Sequence, residues 1–192
     1  MRRCAALLCL ALLAAPATGQ KDPKPKPEAK PNAILLIAKP WLPDPNFRET
    51  VILVTQSPDQ HTVGVILNRP TSRTYDKTGE TLYFGGPVMR QAILTVFQAE
   101  RAPEAAFHVL RGIYLSMHAA DVEQALSRRG QRFRLYSGFS GWAPGQLQDE
   151  MKRDSWYVLP ATEDLLFRPD TSGMWKELLE RAQKGQHAPN KV

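Results

Sequence analysis

The stretch SGFSGWAPGQLQDE at residues 137–150 constrains the fold of this chain more than any other segment does. Gly138 and Gly141 permit a positive φ or a close approach between backbones, and Pro144 suits the first position of a helix, where no amide hydrogen is needed. From Gln146 onward the sequence has a helical pattern. The stretch therefore predicts a glycine-rich turn that leads into a helix. The start of that helix is either an anion-binding site or only a tight corner.

Residues 1–19 have the pattern of a cleaved secretory signal peptide. Arg2 and Arg3 form a basic start, and the apolar run at 5–15 is too short to span a bilayer. The small residues at 15–19 then offer sites for signal peptidase, after Ala-Pro-Ala or Ala-Thr-Gly. We therefore expect an exported protein, periplasmic or secreted, with no transmembrane segment in its mature chain.

The cysteine content limits the chemistry of the mature protein. Cys4 and Cys9 are the two cysteines of the chain, and both lie inside the predicted signal peptide. After cleavage no thiol is left for a disulfide, a zinc site or a nucleophile. Stability then depends on the packed core alone.

Residues 20–31 alternate lysine with proline, which predicts an extended, solvated linker. The chain has a formal net charge of +6. Two of these charges come from Arg2 and Arg3, and two more come from the linker, which has four lysines and two acidic residues. The net charge of +2 left for residues 32–192 is too small to indicate nucleic-acid binding.

Apolar runs and turn residues predict an irregular alternation of strands and helices, which favours an α+β fold over a doubly wound parallel sheet. Asp121 is the predicted cap of a helix, and Thr162 is predicted to cap a turn that carries residues 164–167. A polar loop is expected at 71–80, and a tight turn at 85–88. The predicted strands are 33–38, 50–55, 62–67, 92–97, 107–110, 113–115, 133–136 and 156–159, and the predicted helices are 121–129, 144–152 and 173–184.

Four segments occur in an order and spacing that resemble the YqgE/AlgH family of bacterial proteins. They are KPWLPDPNF at 39–47, GVILNRP at 64–70, GGPV at 85–88 and GFSGWAPGQL at 138–147. The resemblance implies a single domain over residues 32–185, with a strongly curved, barrel-like mixed β-sheet flanked by helices and a flexible tail at 186–192. It implies no established enzymatic activity, although one branch of the family carries a label as a transcriptional regulator of exopolysaccharide synthesis.

Two features depart from the family pattern. The family usually has glycine after the tryptophan of the last segment, whereas this chain has Ala143, so that position does not require a positive φ here. The family is also usually cytoplasmic and without a leader, whereas residues 1–19 of this chain predict export.

No catalytic residue, metal or cofactor is predicted. Ser140 lies in a pattern close to a nucleophile elbow, but G-x-S-x-G requires glycine where this chain has Trp142. The family more often has alanine in place of Ser140, which a nucleophile would not allow. Asp121 near His118 is better explained as a helix cap than as a metal ligand. No metal-ligand spacing is formed by the four imidazoles, His61, His108, His118 and His187.

The glycine-rich loops leave two interpretations open. In one, the loops at 85–87 and 141–146 form a small cleft that binds an anion through backbone amides and the guanidinium group of Arg69. In the other, the glycines allow close packing under Trp142, while Arg69 pairs internally with Asp44, whose side chain fixes an Asx turn. The predicted ligand-binding residues of the first interpretation are Asn68, Arg69, Gly85, Gly86, Gly141, Trp142 and Gln146.

These observations favour a non-enzymatic interaction or regulatory domain in the cell envelope. The alternative is a protein or enzyme that binds a small anion or small molecule in the glycine-loop cleft. The expected partner is accordingly an unidentified protein or a small anion, and nucleic acid is not expected.

Export predicts that the mature chain begins after residue 17 or residue 19. When the full chain is expressed in a bacterium, we expect its intact mass to show the loss of residues 1–17 or 1–19. Replacement of Ala15 and Ala17 by leucine should block cleavage at the first site, because signal peptidase requires small residues there. A wild-type protein that retains Cys4 and Cys9 would contradict the prediction.

Overall fold

The computed structural model describes residues 32–56, 61–128 and 130–186. The predicted signal peptide, the linker and residues 187–192 of the predicted tail lie outside these residues, as do residues 57–60 and 129. Gln186, which the sequence places in the tail, is the last residue of a helix.

Within the described residues the chain forms ten strands and four helices. Their order along the chain is irregular, and the α+β class is confirmed. The strands are β1 (Ile34–Ala38), β2 (Val51–Gln56), β3 (Thr62–Ile66), β4 (Pro70–Thr74), β5 (Thr81–Phe84), β6 (Val88–Gln98), β7 (Phe107–Leu110), β8 (Ile113–Ser116), β9 (Phe133–Trp142) and β10 (Trp156–Pro160). The helices are α1 (Ala119–Ser127), α2 (Gln146–Lys152), α3 (Glu163–Leu166) and α4 (Met174–Gln186).

The strands form one mixed sheet in a single domain. Its main path runs β10-β1-β2-β3-β9-β6-β8-β7, with neighbouring strands antiparallel. Strand β5 lies off this path and pairs in parallel with β9 and antiparallel with β4. The strands predicted at 50–55 and 62–67 pair as β2 and β3, and those predicted at 107–110 and 113–115 pair as β7 and β8.

The sheet is curved but not closed, so the barrel-like form is confirmed only in part. Curvature brings the terminal strand β7 against β2, where the Thr55 hydroxyl donates a hydrogen bond of 3.3 Å to the carbonyl of His108. The two terminal strands, β10 and β7, do not pair with each other in the described sheet. Strands β4 and β5 branch from β9 and do not extend the main path.

Both faces of the central strands are covered, which explains their continuous apolar sequences. On β1, Leu35 and Ile37 pack in the larger core cluster with α3 and α4. Leu36 and Ala38 point the opposite way and pack in a second cluster under α2. Helix α1 covers a third region, where its Val122 contacts the sheet.

The glycine-rich stretch at 137–142 is not a turn, and this prediction is wrong. It is the second half of β9, because residues 140–142 pair with β3 and residues 135–137 pair with β5. Pro144 likewise lies two residues before α2, which begins after Gly145 with φ of 84°. Glycine is frequent here because the backbones of neighbouring segments contact this strand closely.

Those contacts occur where residues 85 and 86, which follow β5, pass close to the backbone of β9. We call this place the crossing. Gly85 donates its amide to the carbonyl of Ser137 at 3.1 Å and accepts from the amide of Ile66 at 3.0 Å. A Cβ at Gly85 would lie 2.1 Å from the carbonyl oxygen of Gly138, which itself has φ of 73°. A Cβ at Gly86 would lie 2.3 Å from the backbone of Phe139. Only glycine fits at this crossing.

Two further predictions are wrong. Residues 71–80 do not form only a loop, because Pro70–Thr74 is strand β4 and pairs with β5. Asp121 is not the cap of α1, whose N-cap is His118. Asp121 lies in the first turn and accepts a hydrogen bond of 2.6 Å from the Ser116 hydroxyl. Thr162 does precede the first residue of α3, as the sequence predicts.

The crossing predicts opposite effects of alanine at two glycines. Gly85→Ala should destabilise the protein by about 3 kcal/mol or more, because its Cβ meets an immovable carbonyl. Gly141→Ala should leave stability unchanged or raise it by about 0.4–1 kcal/mol, since its Cβ would meet nothing nearer than the Phe139 ring at 3.4 Å. Urea unfolding monitored by circular dichroism measures both. Equal midpoints for the two variants would show that the crossing tolerates a side chain.

Candidate functional site

The side chain of Asn68 is fully engaged with the protein backbone. Its Oδ1 accepts a hydrogen bond from the amide of Val51 at 2.9 Å. Its Nδ2 donates to the carbonyl of Glu49 at 2.9 Å. Asn68 therefore ties the end of β3 to the loop that precedes β2.

Arg69 binds the same loop through backbone carbonyls. Its Nη1 donates to Asn46 at 2.7 Å and its Nη2 donates to Arg48 at 2.9 Å. Burial, followed by the nearby charge of Arg48, lowers the pKa of Arg69, although a guanidinium stays charged in proteins. The predicted internal role is supported, but its partner is corrected, because these hydrogen bonds go to carbonyls and not to the carboxylate of Asp44.

Asp44 forms the Asx turn that the sequence allowed. Its Oδ1 accepts a hydrogen bond from the amide of Asn46 at 2.8 Å. The carbonyl of Asp44 then accepts from the amides of Phe47 and Arg48 at 3.0 and 2.8 Å. Residues 44–48 are therefore a compact turn with its own hydrogen bonds, and Arg69 binds it from outside.

Trp142 and Gln146 belong to a network around one carboxylate. Glu150 Oε2 accepts hydrogen bonds from the indole N–H groups of Trp142 and Trp156, each at 3.0 Å. Gln146 donates to Glu150 Oε1 at 3.0 Å and accepts from the amide of Ala143 at 3.1 Å. Both indoles are buried, at 7% and 6% exposure. The network fixes α2 against the ends of β9 and β10.

The seven predicted ligand residues are not brought together around a cavity in the described structure. Gly85 and Gly86 are buried at the crossing, and Gly141 is exposed on β9. A cleft of about 600 Å³ lies elsewhere, along residues 72–77 and β6. A smaller one of about 200 Å³ lies between β2 and α2. Ligand binding by the seven residues stays a prediction, while their observed contacts support internal packing.

Sequence reasoning missed a buried lysine at the end of β1. Lys39 is 5% exposed and forms an ion pair with the carboxylate of Asp154. Its Nζ lies 4.3 Å from the ring centroid of Tyr157 and 5.2 Å from that of Trp41. At these distances both rings attract the ammonium group through cation–π interactions.

The same arrangement holds an exposed tryptophan. Trp41 is 59% exposed, yet its indole N–H donates to the carbonyl of Asp154 at 3.2 Å. Asp154 has φ of 61°, a conformation uncommon for residues other than glycine. We call Lys39, Trp41, Asp154 and Tyr157 the Trp41 platform. A large aromatic ring is thus held in a defined orientation while most of its surface stays in water.

The predicted site residues support this platform from two sides. Asn68 and Arg69 hold the loop at 44–49, which continues the chain from Trp41. The Glu150 network holds the other side, because the turn that carries Asp154 directly joins α2 to β10. The sequence shows the first half of this arrangement, a tryptophan in a proline-rich loop. It does not show that Asp154, more than a hundred positions away, is its partner.

The platform presents an exposed aromatic ring beside an ion pair whose charges balance. Elsewhere in the described residues, no three His, Cys, Asp or Glu side chains gather as ligands for a metal ion. None of the described helices has the length and apolar sequence needed to cross a membrane.

Comparison with known proteins places the chain among bacterial relatives. A family model described as AlgH-like matches residues 35–187. A UPF0301 protein of Thermobifida fusca is 33% identical over 173 residues, which cover 77% of this chain and 84% of the relative. A UPF0301 protein of Streptomyces coelicolor is 32% identical and covers 80% of this chain and 87% of the relative.

Solved structures show the same fold. A crystal structure of a Corynebacterium diphtheriae protein superposes with a TM-score of 0.64 at 25% identity, covering 80% of this chain and 87% of the other. The solution structure of the AlgH protein from Pseudomonas aeruginosa gives a TM-score of 0.63 at 22% identity, covering 81% and 88%. At these identities the likeness extends to the fold, and the platform is argued from this chain alone.

The shared carboxylate predicts a large loss of stability in Glu150→Ala. The substitution leaves two buried indole donors without an acceptor, which should cost about 2–4 kcal/mol. Asp149→Ala on the same helix is the matched control, because Asp149 makes only an exposed ion pair with Lys152 and should cost less than about 1 kcal/mol. Urea midpoints that move equally in the two variants would show that the carboxylate does not hold the indoles.

Proposed function

The chain belongs to the AlgH-like family, and we propose that it is a non-enzymatic interaction or regulatory domain whose contact surface is the Trp41 platform. The observation that carries the proposal is the indole of Trp41, 59% exposed and hydrogen-bonded to Asp154. Tryptophan, tyrosine and arginine dominate the binding energy of protein interfaces.

The rigidity of the platform supports this function. Binding costs free energy when side chains and loops must become ordered, and a preformed surface avoids part of that cost. Here the amide of Lys39 donates to Ser155 at 3.1 Å, and the amide of Leu42 donates to Lys39 at 3.0 Å. Together with the Arg69 contacts, these bonds fix the loop before any partner arrives.

The exposed groups define the chemistry of the partner. Trp41 offers an apolar face, and beside it lies the carboxylate of Asp154, whose side chain is 66% exposed. Lys39 balances the charge of this carboxylate, so the platform favours a partner without strong net charge. We infer a protein segment that places an apolar or aromatic side chain on the indole and an N–H group on Asp154.

The proposed setting is the cell envelope. The pattern of residues 1–19 supports it, since a basic start, a short apolar run and small residues are typical of cleaved export signals. A partner would then be sought among periplasmic or secreted proteins of the same organism.

Removal of the indole is expected to abolish partner capture. Wild-type protein, Trp41→Ala and Met89→Ala would be immobilised and exposed to the same envelope extract. Met89 is a matched control because it is 61% exposed and lies on β6, away from the platform. We expect one protein to be recovered equally by wild type and Met89→Ala but at least about tenfold less by Trp41→Ala, a loss of about 1.4 kcal/mol or more.

The captured protein would then be purified and its dissociation constant measured against the three baits by calorimetry. Because Trp41 is exposed, the unfolding midpoint of Trp41→Ala should stay close to that of wild type, which separates lost binding from lost structure. Equal affinity of the partner for wild type and Trp41→Ala would contradict the proposal.

A further inference from the structure

The cleft of about 600 Å³ between β4 and β6 is separate from the Trp41 platform, since no platform residue lines it. Strands β5 and β9 lie between β4 and β6 in the sheet. The curvature of the sheet therefore brings residues of β4 and β6 to one cleft. Clefts that bind small molecules have volumes of about 300–1,000 Å³. This cleft has the size for an organic ligand.

Part of the cleft lining is apolar. Leu82 on β5 is 2% exposed and belongs to a core cluster with Val122 of α1. Tyr75 and Ile93 also line the cleft and pack against this cluster, but they are only half-buried. A ring or hydrocarbon chain that covers them would remove apolar surface from water, which favours binding.

The wall formed by β4 and the turn after it is fixed by hydrogen bonds. The Thr71 hydroxyl donates to the carbonyl of Leu82 at 2.7 Å, which holds β4 on β5. In the turn, the carbonyl of Tyr75 accepts from the amide of Gly79 at 2.8 Å. A ligand that binds against a fixed wall avoids part of the free-energy cost of ordering it.

The charged side chains of the lining leave one guanidinium available. Arg73, Lys77 and Asp76 line the cleft, and their formal charges sum to +1. Lys77 is balanced by Glu123 of α1, with Nζ 3.3 Å from Oε1. The guanidinium of Arg73 forms no hydrogen bond or ion pair within the part of the chain that the structure describes. Asp76 repels a ligand with several negative charges, so the lining favours a single one.

We propose that this cleft binds a small organic acid that has one carboxylate and an apolar body. The planar guanidinium of Arg73 matches a carboxylate, to which it can donate two parallel hydrogen bonds. Ser72 and Gln91 line the same cleft, and their side chains also lack partners among the described residues. They supply neutral hydrogen bonds, while the apolar body lies on the half-buried apolar residues of the lining.

Three probes separate the two parts of this chemistry. Phenylacetate has the carboxylate and the ring, phenylacetamide has the ring without the charge, and acetate has the charge without the ring. Each would be titrated into the wild-type protein while amide shifts are followed by heteronuclear NMR. We expect phenylacetate to shift the amides of residues 72–77 and 91–93 saturably, with a dissociation constant of about 5 mM or lower. The other two probes should bind at least about fivefold more weakly.

Three variants at exposed positions identify the residues involved. Arg73→Met should bind phenylacetate and phenylacetamide equally, because the guanidinium gives the preference for the acid. Arg111→Met is the matched control, since it removes an exposed arginine outside the cleft, and it should keep the wild-type preference. Gln91→Trp places a large ring in the cleft and should weaken phenylacetate binding at least about tenfold. Because all three positions are exposed, unfolding midpoints should stay close to that of wild type.

Three results would overturn the proposal. The first is a wild-type titration in which the shifts rise linearly with phenylacetate and do not saturate. The second is a preference for phenylacetate over phenylacetamide that persists in Arg73→Met. The third is a set of saturable shifts that lies outside residues 72–93 and is unchanged in Gln91→Trp.

Discussion

The close approach of backbones at Gly85, Gly86 and Gly138 is the constraint on which the rest of the structure depends. Within ten residues, β9 pairs with β3, β5 and β6. A side chain at the crossing would need space that the backbone of Gly138 or Phe139 already occupies. The Ser140 hydroxyl adds a hydrogen bond of 3.2 Å to the carbonyl of Gly85. The mixed sheet can branch here only because no Cβ separates the strands.

From this crossing, two chain segments extend to the Trp41 platform. One leads through the end of β3 to Asn68 and Arg69, which hold the loop at 44–49. The other leads through Trp142 and α2 to the turn that carries Asp154. The platform therefore lies where these two segments, which are far apart in the sequence, contact the same loop. This convergence is the physical basis for a preformed contact surface, because the exposed indole is ordered by groups that are themselves fixed in the fold.

Two cations are buried among the described residues, and they differ in what surrounds them. Lys39 has a carboxylate and two aromatic rings, so its burial is explained by groups of the chain itself. Arg134 has an aromatic ring and one carbonyl but no acid among the described residues. The first arrangement stabilises an exposed surface for a partner. The second is held in the interior by an aromatic ring and a backbone carbonyl.

Sequence reasoning predicted the central strands, because the continuous apolar run at 33–38 and the β-branched run at 62–67 are typical of strands. It failed at 137–142, where glycines required by a crossing were interpreted as a turn, and at β4, whose side chains are mostly exposed and polar. The sequence left two roles open for Arg69, an anion ligand or an internal partner of Asp44, and neither predicts the backbone carbonyls to which it donates. The Trp41 platform was missed because Lys39 and Asp154 meet only in the folded chain.

The claim that Arg69 holds the platform loop rigid is tested most directly by amide hydrogen exchange. In Arg69→Met, we expect the amides of Phe47 and Arg48 to exchange at least about tenfold faster than in wild type and the Trp41 indole N–H to lose protection. The amides of β1 and β2 should be unchanged. Arg73→Met, an exposed arginine on β4, should change none of them. Unchanged exchange at residues 41–48 in Arg69→Met would contradict the account.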